Sequence, residues 1–148
     1  MIQLLSERDA EKIVDFVNQK NTDDSKVLRD MIGLTINSPV ITRSLLFHTD
    51  LVCIADLDQN SNIQKLFCVT PPRDVSAKRS IVICYMTVDK EFISTSIDML
   101  QALLEGEPYT KIKISTRTPS NILNDFGFEE ELNIETTYYK QYTYSYFL

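Results

Sequence analysis

The hydrophobic positions are concentrated in a few strong runs. Every residue from Ile81 to Met86 is apolar, and Val88 extends the run past Thr87. A run without alternation fits a central strand covered on both faces. Asp89, Lys90 and Glu91 interrupt it with charge. Ile93, Ile97, Leu100 and Leu104 then recur at spacings of four, three and four, which defines one face of a helix. Gly106 and Pro108 close that helix. The strand, loop and helix from Ser80 to Gly106 form the unit around which the rest of the chain is arranged.

Upstream, Ser6-Glu7-Arg8-Asp9 has capping-box spacing, and Ala10, Ile13, Val14 and Val17 share one helical face. The pattern predicts a helix over 7–19. Asn18 to Asp24 is polar and reads as a loop. Ser25 can cap a second helix carrying Val27, Leu28, Met31 and Ile32, weakened by Gly33 and with Pro39 ending any continuation. Arg43 to His48 reads as a strand, paired as a hairpin across Thr49-Asp50 with Leu51 to Ala55. Ile63 to Val69 is a further strand, and Pro71 to Arg79 a charged loop.

Downstream, Ile112 and Ile114 alternate with Lys111, Lys113 and Ser115, as in a half-buried or edge-like strand. Asn121 to Asp125 can form a short helix, Gly127 a turn or cap, and Glu129 to Glu131 a solvated acidic run. Thr136 to Leu148 reads as a long aromatic strand. The order predicts one mixed α/β (α+β) domain over 1–148, with a mostly antiparallel central sheet flanked by helices and a right-handed strand-helix-strand crossover in the middle.

Composition narrows the classes of function. The net charge of -6 argues against a nucleic-acid partner, since phosphate binding needs a basic surface. No apolar run approaches the roughly 20 residues of a membrane helix. No basic start followed by an apolar stretch marks the N-terminus. The expectation is a cytoplasmic protein with no membrane partner. Cys53, Cys68 and Cys84 lie about fifteen residues apart in apolar runs, which suits buried free thiols and not a metal site or disulfide framework. His48, the single histidine, sits beside a turn and reads as a surface residue.

The order of elements resembles the GNAT acyltransferases (the GCN5-related N-acetyltransferase superfamily). Ile2-Gln3-Leu4-Leu5-Ser6-Glu7-Arg8-Asp9-Ala10-Glu11-Lys12-Ile13 looks like that family's first strand and helix. Phe126-Gly127-Phe128-Glu129-Glu130 looks like its recurring G-F motif. The resemblance implies a GNAT-like sheet, acetyl-CoA or another acyl-CoA as cofactor, and an amine of a small molecule or protein as acceptor.

It also implies a phosphate loop, (Q/R)-x-x-G-x-(G/A), between the central strand and the next helix. Its N–H groups would cradle the cofactor's pyrophosphate. Ile93-Ser94-Thr95-Ser96-Ile97-Asp98 stands in that place, with Ile93 for the Arg or Gln, Ser96 for the first glycine and Asp98 for the second small residue. The cofactor-binding residues so implied are Met86, Thr87 and Val88, whose backbone would pair with the pantetheine arm, and Ser94, Thr95 and Ser96, which would donate to the phosphates.

Thr95 to Asp98 has capping-box spacing of its own, so the carboxylate of Asp98 would fill the anion position. Two unit charges about 4 Å apart repel by roughly 4 kcal/mol at an effective dielectric near 20. The segment alone therefore reads as a self-capped helix. The family's general-acid tyrosine falls on Leu123, which carries no proton to transfer. Asp89 and Glu91 are the nearest carboxylates, and they read first as loop charges that end the strand. No catalytic residue is assigned. Tyr138, Tyr139, Tyr142, Tyr144 and Tyr146 read as strand packing, and an exposed edge there would support a homodimer. Two readings stand: an acyltransferase, or a GNAT-like binding or interaction module that no longer binds acetyl-CoA.

Overall fold

A computed structural model describes residues 1–19, 26–31, 34–71 and 80–148. Among the described residues eight strands form one sheet: β1 (Ile2–Leu4), β2 (Val27–Arg29), β3 (Val52–Leu57), β4 (Ile63–Thr70), β5 (Ser80–Thr87), β6 (Lys111–Thr116), β7 (Glu129–Glu135) and β8 (Lys140–Phe147). The main path runs β1-β3-β4-β5-β6-β8-β7, with β2 pairing on β5. Every pairing is antiparallel except β5 with β6. The helices are α1 (Ala10–Gln19), α2 (Pro39–Phe47), α3 (Lys90–Leu103) and α4 (Asn121–Asp125), with a 3-10 turn at Glu7–Asp9 before α1.

The core has two layers, one on each face of the sheet. Ala10, Ile13 and Phe16 of α1 pack with Cys53, Cys68, Cys84 and Tyr85 on one face. Ile93, Ile97 and Leu100 of α3 pack with Ile81, Ile83, Ile112 and Ile114 on the other. Burying each such side chain contributes about 1.5–3 kcal/mol, so both faces of β5 are strongly anchored. The unbroken apolar run from Ile81 to Met86 is explained by this double coverage.

Three sequence expectations are corrected. Arg43 to His48 is not a strand, and there is no hairpin with Leu51 to Ala55. Arg43 to Phe47 lie in α2, with His48 its C-cap, and that helix begins rather than ends at Pro39. Proline suits a first helical position, and the hydroxyl of Ser38 accepts from the Ile41 N–H at 3.4 Å as the cap. Thr42 and Leu46, four residues apart, are the buried positions.

Val27 and Leu28 do not lie on a second helix but in β2, where the exposed edge of β5 supplies a ladder that a three-residue stretch could not form alone. Ser25, Ile32, Gly33 and the stretch 72–79, also singled out in the sequence, lie outside the described residues. The third correction concerns the tyrosine-rich strand β8. It sits between β6 and β7, inside the sheet, so it offers no edge for a second copy. The edge on that side is the exposed, acidic β7, and charge of that kind discourages edge pairing.

Gly127 is the cap expected from the sequence. Its N–H bonds to the Asn124 carbonyl and that of Phe128 to the Leu123 carbonyl, closing α4 in a Schellman arrangement. Its φ of +91° favours glycine, and a Cβ there would come within 3.1 Å of the Tyr146 ring.

Candidate functional site

The site is built where β5 and β6 part. They pair only at Ser80–Lys111, Ile81–Ile112 and Val82–Lys113. Beyond that the two strands leave their facing edges to another partner, and the chain supplies it. β2 runs along β5 with Val27 opposite Thr87, Leu28 opposite Met86 and Arg29 opposite Tyr85. The Val88 N–H donates to the Lys26 carbonyl at 2.8 Å and the Asp30 N–H to the Cys84 carbonyl at 3.4 Å. On the β6 side, the Met31 N–H donates to the Ser115 carbonyl at 2.9 Å. The Ser115 N–H donates to Oδ1 of Asp30 at 2.5 Å. Residues 26–31 therefore bridge the seam and satisfy backbone groups on both strands.

A bulge shapes the same region. Cys68 pairs with Tyr85 and Val69 with Ile83, which leaves Cys84 as an extra residue on β5. Successive side chains normally alternate faces, but here Cys84 and Tyr85 both join the α1 side of the core. Tyr85 is 1 % exposed. Its ring meets Phe16 edge-on with centroids 6.3 Å apart, and the Arg29 guanidinium lies 5.5 Å from its centroid. Burial pushes the Tyr85 phenol up to about 12, against the opposing pull of Arg29, so the hydroxyl is protonated at neutral pH.

A cavity of about 260 Å³ opens beside this pair, lined by both residues with Asp30, Asn18, Thr35 and Asn37. The Tyr85 hydroxyl is buried and has no hydrogen-bond partner among the described residues. Nothing in the sequence marked Tyr85, Arg29 or Asp30 for this role. Tyr85 is hidden in an apolar run, and the other two meet it only through a long-range strand pairing.

The implied cofactor residues are separated by the structure. Met86 and Thr87 lie in β5 opposite Leu28 and Val27, and the Val88 N–H is bonded to Lys26. Ser94, Thr95 and Ser96 are not in a loop. They lie within α3, Ser94 and Thr95 exposed and Ser96 buried without a partner for its hydroxyl. Only Val88 and Asp89 separate β5 from α3. Residues 93–98 are thus wound into the helix, where N–H groups bond to carbonyls four residues back; that of Ile93 reaches Asp89 at 2.9 Å. Donors used in that way do not fit the pyrophosphate of an acyl-CoA.

The self-capping expected of Asp98 belongs instead to Asp89, nine residues earlier. Oδ1 of Asp89 accepts from the Phe92 N–H at 2.9 Å, and Oδ2 from Lys65 Nζ at 3.0 Å. The Phe92 hydrogen bond, seconded by Lys65, holds the Asp89 carboxyl below its ordinary range. Asp98 is exposed on the helix flank. A fixed carboxylate at the start of α3 further disfavours an anion there.

Leu123 is fully buried in the α3-side core. Of the late tyrosines, Tyr144 accepts from the Ser120 N–H at 2.8 Å and Tyr142 donates to Glu135. All three cysteines are free and buried. Cys53 and Cys68 face each other across β3 and β4 with sulfurs 2.8 Å apart, and burial pushes both thiols up. Among the described residues no cluster could hold a metal ion, and no helix is long and apolar enough to cross a membrane.

This architecture is that of the GNAT acetyltransferases. The chain superposes on an acetyltransferase of the GNAT family from Streptococcus pneumoniae with a TM-score of 0.68 at 14% identity, covering 100% of this chain and 99% of that one. A variant of the spermidine N-acetyltransferase from Vibrio cholerae gives 0.65 at 14% identity, covering 99% and 94%. The ribosomal-protein-S5-alanine acetyltransferase from Vibrio fischeri gives 0.64 at 12% identity, covering 99% and 91%. No family model matches the sequence, and no curated protein matches it significantly. At these identities the likeness establishes the GNAT fold.

Proposed function

We propose that this chain is a GNAT-fold binding module that does not hold acyl-CoA in the way the fold implies. The observation that carries this reading is the start of α3 at Lys90, which turns residues 93–98 from a phosphate loop into helix. The β2 bridge and the Asp89 cap support it, because the first occupies the β5 edge at Tyr85 to Thr87 and the second sets a carboxylate at the start of α3. The ligand of such a module is a small molecule or a protein segment that meets the seam from the α1 side. Calorimetric titration with acetyl-CoA and with CoA tests the reading. No heat of binding up to millimolar concentration is expected; micromolar binding overturns it.

One observation favours a second reading, transfer of an acyl group from acyl-CoA to an amine of a small molecule or protein. The parting of β5 from β6 is retained, and only a three-residue strand fills it. If β2 left the seam, the backbone of Met86, Thr87 and Val88 would be able to pair with an extended thioester arm. A Leu28→Pro variant, which cannot complete the β2 ladder, separates the two readings. Acetyl-CoA binding gained by that variant, with acetylation of an amine in a screen, supports the transferase; absence of both supports the binding module.

A further inference from the structure

The β3–β4 hairpin sets two cysteines face to face. Cys53 stands opposite Cys68 in its register. The Cys53 carbonyl accepts from the Leu5 N–H at 2.8 Å, on the β1 side. In an antiparallel strand the N–H and C=O of one residue point the same way, so Cys53 uses neither on β4. Cys53 and Cys68 are therefore a non-hydrogen-bonded pair, in which Cα atoms stand about 4.5 Å apart and side chains come close. A disulfide needs Cα atoms about 4.4–6.8 Å apart. The backbone meets that requirement as it stands.

The side chains meet it too. The two sulfurs are 2.8 Å apart, inside the about 3.5–4.0 Å at which unbonded heavy atoms pack best. Both are fully buried on the α1 side of the sheet, in the cluster that holds Ala10, Ile13 and Leu66. Cys84 is placed differently. It is the extra residue of the β5 bulge, so Tyr85 and not Cys84 stands opposite Cys68. Its thiol donates to the Cys68 carbonyl at 3.3 Å.

We infer that Cys53 and Cys68 form an oxidation site, closing to a cross-strand disulfide in the folded protein when hydrogen peroxide or another small peroxide reaches them, while Cys84 stays a thiol. One sulfur attacks the peroxide, the O–O bond breaks, and a sulfenic acid and one water result. The second sulfur attacks the first, the S–O bond breaks, and a second water leaves as the S–S bond forms. Two thiols and one hydrogen peroxide thus give one disulfide and two waters. Burial slows the first step, since the thiolate is the attacking species. The facing sulfur then captures the sulfenic acid before it oxidises further. A peroxide is little larger than water and enters through local openings of the hairpin that exclude an aromatic reagent. The site depends on neither reading of the seam between β5 and β6.

Lys65 and Arg79 place the three cysteines on separate tryptic peptides, so linkage is read directly by mass spectrometry. The whole native protein is treated with hydrogen peroxide, alkylated in denaturant and digested. One linked pair carrying Cys53 and Cys68 is expected, with Cys84 alkylated. The thermal midpoint should rise by about 5 °C or more, because the bond closes a loop in the unfolded chain, and should fall back on reduction with dithiothreitol. Cys84→Ala should form the same link and show the same rise; Cys53→Ala should show neither. Cys84→Ala also controls for the loss of one buried sulfur as such. Three results would overturn the inference: all three thiols surviving the peroxide, Cys84 in the linked pair, or a link that forms only after unfolding in guanidinium.

Discussion

Asp89 caps α3 through the N–H of Phe92, three residues on, at 2.9 Å. Lys65 holds the second oxygen of the same carboxylate at 3.0 Å. Local sequence chemistry thus caps this helix terminus from within the chain. Asp89→Ala is expected to lower stability by about 1 kcal/mol, the usual cost of losing such a cap, as read by urea denaturation at neutral pH.

The sign of the pH effect follows from the direction of the shift. The Asp89 carboxyl is lowered by its Phe92 and Lys65 bonds, and that of Glu131 by Lys111 and Ser145. Groups lowered in the folded state contribute stability that is fully present above their unfolded values, about 4. That contribution falls away as pH drops through the folded values. Asp89→Asn and Glu131→Gln should each flatten the acid limb of the stability profile while leaving its shape above pH about 6 unchanged. A parallel acid limb in both variants would contradict these assignments.

Asp98 lies on the exposed flank of α3, remote from the helix start at Lys90. Asp98→Gly should therefore yield no acetyl-CoA binding by calorimetry. It should instead destabilise the protein by about 0.5–1 kcal/mol, as glycine does within a helix.

Asp30 ties the β2 segment to β6 through the Ser115 N–H. In Asp30→Ala that amide loses its acceptor. Hydrogen exchange at Ser115 should accelerate most, with a smaller rise at Val88, whose N–H bonds to Lys26 in the same segment. Amides of the β3–β4 pair should keep their protection. A uniform rise across the sheet would show that β2 is not an independent unit.

Cys53, Cys68 and Cys84 are all buried, and burial holds the first two as neutral thiols. The native protein should be inert to an aromatic disulfide reagent at pH 8, and three thiols should titrate after unfolding in guanidinium.

Much of the architecture was legible because it rests on local patterns. The apolar run from Ile81 to Met86, the helical face of Ile93, Ile97 and Leu100, and the Phe126-Gly127-Phe128 cap each carry their own signal. Pro39 reads locally as a helix stop, yet proline equally suits a first helical turn. The Ser38 hydroxyl beside it is the cap of a helix that starts there. The cap of the central helix differs from the sequence expectation for a related reason. Thr95 to Asp98 has the spacing of a cap, but Asp89 also meets that requirement, and it comes directly after the strand. A helix propagates from the earliest favourable cap once its apolar face is buried, so two more turns formed.

By itself the sequence determined that β4 and β5 are buried, that Gly127 ends α4, and that residues 93–98 hold no glycine. Tertiary structure alone decided that Val27 to Arg29 would be a strand, that β8 would lie inside the sheet, and that Tyr85 would share a cavity with Arg29 and Asp30. The physical reason is range. Capping and periodicity act over a few residues, whereas the β2–β5 pairing joins segments nearly sixty residues apart in the sequence. Its hydrogen bonds arise only when an open strand edge and a free segment meet in space.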